Sequence, residues 1–198
     1  MKYVENIAAI AHLQPDYMGF IFYKNSARYF DGLIPEIPKS IKKTGVFVDS
    51  DLKTVLETVK QYDLQAVQLH GTETPELCLE IRRNTNVEII KTFSIDAAFD
   101  FTLLQDYETA CDYYLFDTKG KFPGGNGFAF DWKILERYPS DKPYFLSGGI
   151  GPEDSTAILQ SGLSPYAIDI NSKFETVPGL KDPHLCEQVV LKIRNNEN

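Results

Sequence analysis

Apolar residues along the chain occur either in short unbroken runs or at a helical spacing. Unbroken runs are typical of buried strands, whereas apolar positions repeated every three or four residues indicate amphipathic helices. The runs predict strands at Met18–Tyr23, Thr44–Asp49, Ala66–Leu69, Val87–Phe93, Tyr113–Phe116, Tyr144–Leu146 and Tyr166–Ile170. The helical spacing predicts helices at Val4–Leu13, Asp51–Tyr62, Pro75–Arg83, Ala97–Tyr107, Asp131–Arg137, Pro152–Gln160 and Pro183–Arg194.

This alternation of strand and helix predicts an α/β fold with a parallel sheet covered by helices. Polar side chains stand at the C-terminal ends of many different strands. A doubly wound sheet gathers its site at one switch point, whereas a barrel surrounds its site with all the strand ends, so the distribution favours a (β/α)8 TIM barrel. The strand-end residues are Tyr23, Asp49, His70, Asp117, Ser147 and Asn171.

Seven strands are predicted, and the chain opens on a helix. A closed barrel of this type has eight strands. We therefore expect a (β/α)8 barrel whose first β-strand is absent from this chain, with residues 1–198 forming one domain, a length that suits a single core.

Charge and cysteine usage restrict the function classes. The net charge of −8 argues against nucleic acid or acidic membranes as partners, but it does not exclude a small anionic ligand. No apolar run is long enough for a transmembrane helix and no signal peptide is visible. Cys78, Cys111 and Cys186 form neither a CxxC pair nor a metal-binding pattern, so we expect a cytoplasmic protein with reduced thiols and no bound metal.

One stretch combines a strand end, a carboxylate and a flexible loop. Asp117 follows the Tyr113–Phe116 strand, and the next residues include Gly120, Pro123, Gly124, Gly125 and Gly127. In a parallel α/β fold this is where catalytic side chains stand. The local sequence leaves two interpretations equally open, because Asp117 is either catalytic or the cap of a turn.

Five segments, in this order and over essentially the whole chain, resemble the phosphoribosylanthranilate isomerase family of tryptophan biosynthesis. The resemblance implies a barrel that needs no cofactor and carries out an Amadori rearrangement of a small phosphoribosyl substrate. It also implies that Asp117 is the general acid. The segments are Asp16–Phe30, Gly45–Asp49, Val67–Gly71, Leu115–Trp132 and Leu146–Glu175.

The chain departs from the family at the general base. In the family, a Cys at the end of the first strand, in a Lys-Ile-Cys-Gly-Met-like motif, is the base, and Met1 stands where that motif ends. None of the three cysteines replaces it, since each reads as a small apolar residue of a helix or loop. We therefore expect the chain as given to be impaired as a catalyst.

Two strand-end loops are the candidate phosphate site. Ser147-Gly148-Gly149, followed by a helix start at Pro152, offers bare backbone amides, and Asn171-Ser172 offers a second set. Alternatively, the glycines only turn the chain. Lys173 stands where the family often has Gly, and it either adds a cation or is solvated.

Arg28 is the candidate for the anthranilate carboxylate, by its charge and by its position in the family, with a solvated surface Arg as the alternative. The resemblance gives His70 a structural or pocket-lining role.

Two other functions remain open. One is a related phosphosugar barrel, such as the histidine-pathway isomerase or ribulose-phosphate epimerase, which fits the Asp117 segment less well. The other is a non-catalytic phosphate-binding barrel fragment.

Overall fold

A seven-stranded parallel sheet forms the centre of the protein. The structure is a computed structural model that describes residues 1–118 and 132–195. Each strand pairs with the next in sequence order, so the predicted parallel α/β sheet is confirmed. The strands are β1 (Tyr17–Ile21), β2 (Lys42–Phe47), β3 (Ala66–Leu69), β4 (Glu88–Ile95), β5 (Tyr113–Thr118), β6 (Tyr144–Ser147) and β7 (Ala167–Ile168).

Within residues 1–118 and 132–195, five α-helices and three 3-10 helices flank the strands. The segment predicted as a helix at Ala97–Tyr107 is a shorter 3-10 helix, Phe101–Tyr107. Of the helix predicted at Asp131–Arg137, the described residues Trp132–Arg137 form a 3-10 helix. The third 3-10 helix is Ser172–Phe174. The α-helices are α1 (Val4–Ala11), α2 (Leu52–Tyr62), α3 (Pro75–Asn84), α4 (Asp154–Gln160) and α5 (Pro183–Arg194).

Capping side chains fix where three of the helices begin. Asp51 accepts a hydrogen bond from the amide of Thr54, and Asp182 caps α5 in the same way. The predicted start of α3 is confirmed, because Thr74 is the N-cap and Pro75 is the first helical residue.

A small antiparallel hairpin, β8 (Glu175–Val177) with β9 (Leu180–Lys181), follows β7 and was not predicted. Gly179 turns the hairpin with a φ of 85°, a conformation that favours glycine. A Cβ at this position would also lie 2.8 Å from the side chain of Lys2. The hairpin places Glu175 and Lys181 beside the C-terminal end of the sheet.

The two faces of the sheet differ in what covers them. Val67, Ile89 and Tyr114 belong to a large cluster with the helices. The opposite face carries a smaller buried cluster of Ala66, Ile90, Leu115 and Phe145 from successive strands. Because side chains alternate along a strand, Asp117 lies on the same inner face as Leu115.

The sheet is curled but its outer strands do not meet. Within residues 1–118 and 132–195, β1 pairs only with β2 and β7 only with β6. The carbonyl of Gly19 on β1 accepts a hydrogen bond from the Met1 nitrogen at 2.6 Å, and that of Ile21 accepts one from the Phe30 amide at 2.8 Å. The described part of the chain contains no helix long and apolar enough to cross a bilayer.

Candidate active site

Asp117 lies at the C-terminal end of β5, between Ser94 of β4 and Ser147 of β6 in the strand register. Its carboxylate Oδ2 is 3.5 Å from Nε2 of His70, which follows β3. Both side chains are about one-third exposed, so a ligand over the sheet end can reach them. The Gly-rich loop predicted to cover Asp117 lies outside the described residues.

A buried glutamine holds the His70 ring. Nε2 of Gln68 lies 3.0 Å from Nδ1 of His70 and 3.4 Å from the hydroxyl of Thr92. Nε2 is the ring nitrogen that faces Asp117, and the Gln68 side chain contacts the other one. The Gln68 contact therefore holds the His70 ring beside Asp117 at the end of the sheet.

Two carboxylates fix the loop that follows His70. Oδ1 of Asp49 accepts hydrogen bonds from the amide and hydroxyl of Thr72, and these bonds hold the pKa of Asp49 below its ordinary value. A Cβ on Gly71 would overlap the Asp49 carboxylate, so only glycine fits there. Glu73 accepts from the amides of Asp49 and Gly71. Asp49 is therefore a structural residue of the strand end.

Glu73 forms a fully buried ion pair with Lys91 of β4. The Nζ–Oε2 distance is 3.0 Å, and the two side chains are only 3% and 1% exposed. Lys91 also donates to the carbonyls of Leu69, Gly71 and Thr92. The pair thus ties the end of β3 to β4 directly beneath the loop that carries His70.

Arg28, the predicted carboxylate ligand, is paired within the protein. Its Nε lies 2.8 Å and 3.0 Å from the two carboxylate oxygens of Glu175, and its Nη2 lies 2.7 Å from Oε2. Burial raises the pKa of Glu175, but Arg28 and Lys181 outweigh this and hold it below its ordinary value of 4.5. Arg28 is therefore partly exposed and has a buried partner.

The two candidate phosphate loops lie at the ends of adjacent strands. Gly148 and Gly149 follow β6 with φ values of 99° and 63°, a conformation that a side chain would strain. A Cβ on Gly149 would meet no atom within 4 Å, so there is open space above the loop. Asn171 and Ser172 follow β7 and are exposed.

The helix predicted to start at Pro152 begins later, at Asp154. The Asp154 carboxylate accepts a hydrogen bond from the amide of Gly151 at 2.7 Å. A carboxylate of the chain therefore already uses one donor at this helix start.

The chain is similar to proteins of one family over nearly its full length. A sequence model for "N-(5'phosphoribosyl)anthranilate (PRA) isomerase" matches residues 1–192. The chain belongs to the phosphoribosylanthranilate isomerase family. The relative from Phocaeicola vulgatus is 41% identical over 92% of this chain and 89% of its own length, and the one from Parabacteroides distasonis is 40% identical over 92% and 85%.

Solved structures of phosphoribosylanthranilate isomerases share the fold. The enzyme from Thermotoga maritima has a TM-score of 0.82 and 29% identity, with 98% of this chain and 96% of that chain covered. A second structure, at 27% identity and a TM-score of 0.82, holds reduced 1-(o-carboxyphenylamino)-1-deoxyribulose 5-phosphate, and the match covers 98% of this chain and 95% of that chain.

The three cysteines of this family member are buried and reduced. Burial raises the pKa of Cys78 and of Cys186 to about 11, and that of Cys111 to about 12. A thiol with so high a pKa is a poor base near neutral pH. Residues 1–118 and 132–195 contain no group of three His, Cys, Asp or Glu side chains placed to bind a metal.

Proposed function

We propose that the chain catalyses the Amadori rearrangement of N-(5′-phosphoribosyl)anthranilate to 1-(2-carboxyphenylamino)-1-deoxyribulose 5-phosphate in tryptophan biosynthesis. Family membership supports the reaction. The observation that carries it to particular residues is the Asp117 carboxylate facing the His70 imidazole at the C-terminal end of the sheet. We also propose that no cofactor takes part, because proton transfers alone account for the reaction.

Asp117 is the general acid of this proposal. The acid protonates the ribose ring oxygen, and the ring opens to a Schiff base. A base then removes the C2′ proton to give an enolamine, which tautomerises to the ketone. A carboxyl group can be the acid only while it holds its proton, and burial or the charge of a nearby phosphate favours the protonated form of a carboxyl group. His70 lies 3.5 Å from this carboxylate and lines the pocket beside it.

Arg28 takes the anthranilate carboxylate. Its side chain is 26% exposed, and its contact with Glu175 uses only part of the five donors of a guanidinium. Arginine suits this role because its planar fork matches a carboxylate.

The phosphate lies between Gly148-Gly149 and Asn171-Ser172. Loops after the last two strands of a barrel commonly supply such a site, and the open space above Gly149 supports this placement. Saturation with inorganic phosphate followed by crystallography tests the proposal. Phosphate bound elsewhere, with this pocket empty, would contradict it.

We further propose that the complete fold is a (β/α)8 barrel in which an eighth strand lies between β1 and β7. Within residues 1–118 and 132–195, no strand pairs with the outer side of β1 or of β7, and this supports the proposal because a closed barrel has no edge strands. In this proposal residues 1–198 belong to one domain that works in the cytoplasm, consistent with three reduced cysteines.

The deciding experiment compares two proteins, the 198-residue chain and a version extended at its N-terminus by a Lys-Ile-Cys-Gly-like strand. Both are assayed with N-(5′-phosphoribosyl)anthranilate generated in situ, and the product is separated by chromatography. We expect the extended version to be faster by about 10² to 10⁴ and more stable to heat. Asp117→Asn serves as the negative control in both. A folded, extended protein that makes no product would overturn the proposed function. Equal rates in the two versions would show that a residue of this chain is the base.

A further inference from the structure

Glu175 is a buried carboxylate that stands between two cations. Its side chain is 4% exposed and contacts the Arg28 guanidinium along one edge. On its other side, the Nζ of Lys181 lies 3.8 Å from Oε1, and the Gly179 amide donates to the same oxygen at 3.1 Å. Contacts within the hairpin therefore hold the Glu175 carboxylate in addition to its contact with Arg28.

This contact joins distant parts of the chain at the open side of the sheet. Arg28 follows β1 and Glu175 begins β8, 147 residues later. Lys181 also donates to the carbonyl and the side-chain oxygen of Asn171, at 3.2 Å and 3.1 Å. One polar chain therefore runs from Arg28 through Glu175 and Lys181 to the candidate phosphate loop.

The geometry leaves Arg28 able to hold a second anion. Glu175 occupies the side of the fork that carries Nε and Nη2. The remaining N–H groups, including both on Nη1, point along the other edge of the planar group. A long arginine side chain has several rotatable bonds, so a partner on one edge decides where the other edge points.

Stability alone does not account for this carboxylate. Replacing a buried ion pair by apolar residues of similar volume is often neutral or stabilising. Glu175 also meets its two cations in a strand-end position, where Arg28 remains partly open to solvent. A carboxylate in this place is suited to aiming the guanidinium.

We propose that Glu175 is a positioning residue that aims the Arg28 guanidinium at the aryl carboxylate of the substrate, with Lys181 and Gly179 holding Glu175 in place. The proposal rests on the proposed function, because it takes Arg28 as the ligand of that carboxylate. It assigns a role in substrate specificity to the hairpin β8–β9.

The test compares two ligands that differ only in the carboxylate. One is reduced 1-(o-carboxyphenylamino)-1-deoxyribulose 5-phosphate, and the other is the same compound made with aniline. Calorimetric titration of the 198-residue chain gives both affinities. We expect Glu175→Gln to weaken the carboxylated ligand about ten-fold and the aniline compound by less than about two-fold. Arg28→Lys, which keeps the charge but loses the fork, should show the same selective loss.

Three further variants make the test specific. Glu88→Gln removes a paired glutamate at the other end of the sheet and should change neither affinity. In Arg28→Ala, which should lose the preference for the carboxylated ligand, adding Glu175→Gln should cost no further affinity, because residues acting on one contact are not additive.

Three results separate the possible failures. Equal losses for both ligands in Glu175→Gln, or no loss for either, would overturn the positioning role. A selective loss in Arg28→Ala without one in Glu175→Gln would overturn this inference and leave the proposed function intact. A parent protein that binds the two ligands equally would show that the assignment of Arg28 is wrong, and the inference would fall with it.

Discussion

The two ends of the parallel sheet carry the same kinds of residue in different surroundings. At the N-terminal end, Lys42 pairs with Glu88 at 2.6 Å, and these side chains are 36% and 28% exposed. At the C-terminal end, Lys91 pairs with Glu73 at 3.0 Å, and both are almost fully buried. The Lys42–Glu88 pair is partly exposed to water, whereas the Lys91–Glu73 pair is enclosed among backbone carbonyls at the strand ends.

The difference indicates what each end does. Around the Lys42–Glu88 pair, the rings of Tyr17, Tyr113 and Phe145 pack edge to face or tilted, which is an arrangement for stability. At the other end, charged groups hold loops and face one another across the strand ends. In barrels of this type the C-terminal end carries the chemistry and the N-terminal end carries the stability. Four predictions test how far this division holds.

The largest effect is expected from a comparison of the two aspartates at opposite ends of β5. Asp117→Asn should lower the turnover of a catalytically complete version by about 10² to 10⁴, because the amide keeps the shape but cannot donate the required proton. Asp112 precedes the same strand, accepts from the Ile89 amide at 2.7 Å and pairs with Arg82 at 2.8 Å. Asp112→Asn should cost about 1 kcal/mol of stability and leave turnover unchanged.

Steady-state kinetics and thermal unfolding of both variants separate these outcomes. Turnover within a few-fold of the parent in Asp117→Asn would remove its role as the acid. A large rate loss in Asp112→Asn would mean that the N-terminal end also governs the chemistry.

The second effect concerns the two lysines. Lys91→Met leaves Glu73 charged and buried without its partner, so the free energy of unfolding should fall by about 3–5 kcal/mol. Lys42→Met, at the half-exposed pair, should cost no more than about 1 kcal/mol. Urea denaturation measures both. Adding Glu73→Gln to Lys91→Met should recover part of the loss, and the amides of Asp49 and Gly71 limit the recovery.

Similar losses in the two lysine variants would contradict the comparison, because burial would then not decide the strength of the pairs.

The strands of the sheet could be predicted from the sequence, because the apolar run that indicates a strand is a local pattern. Apolar runs such as Ala66–Leu69 predicted the strand at the same bounds as the structure. The cap at Thr74 with Pro75 was equally readable, since it depends on adjacent residues. The candidate site residues came from the resemblance to a family. From the local sequence alone, Asp117 was equally well interpreted as a catalytic residue or as the cap of a turn.

The contacts of the candidate site could not be predicted, because they depend on register between distant segments. Arg28 and Glu175 meet across 147 residues. The contact of His70 with Asp117 depends on how β3, β4 and β5 align. The buried pairing of Lys91 could have been predicted, since a lysine inside an apolar strand needs a buried partner. The hairpin β8–β9 could also have been predicted, because Pro178-Gly179 is a typical turn sequence.

The third effect concerns one hydroxyl at the N-terminal end. Tyr17 donates to Glu88 at 2.9 Å and accepts from Lys42 at 3.2 Å, while its ring packs on Phe145 with centroids 5.0 Å apart. Tyr17→Phe keeps the ring, so it should cost only about 1 kcal/mol. Turnover and ligand affinity should not change. A change in either would show that this end is coupled to the site.

The smallest effect is a pH dependence at the C-terminal end. The folded-state pKa of Glu175 lies below its ordinary value of 4.5, because Arg28 and Lys181 outweigh the effect of burial. A group whose pKa is lowered on folding stabilises the protein above its unfolded pKa, and this stabilisation is lost as the pH falls through the lower folded value. The parent should therefore lose stability below about pH 4.5 more steeply than Glu175→Gln, which has no proton to gain.

Thermal unfolding between pH 6 and pH 3 measures this difference, at steps of about half a pH unit so that the onset falls inside the range. The difference should be modest, because Arg28 is partly exposed and solvent screens the pair. Glu88→Gln is the matched control, since it removes a paired glutamate at the N-terminal end of the sheet. Parallel curves for the parent and Glu175→Gln would show that Glu175 is not held as a carboxylate by its cations. The two ends of the sheet would then differ in burial but not in how they bind their charges.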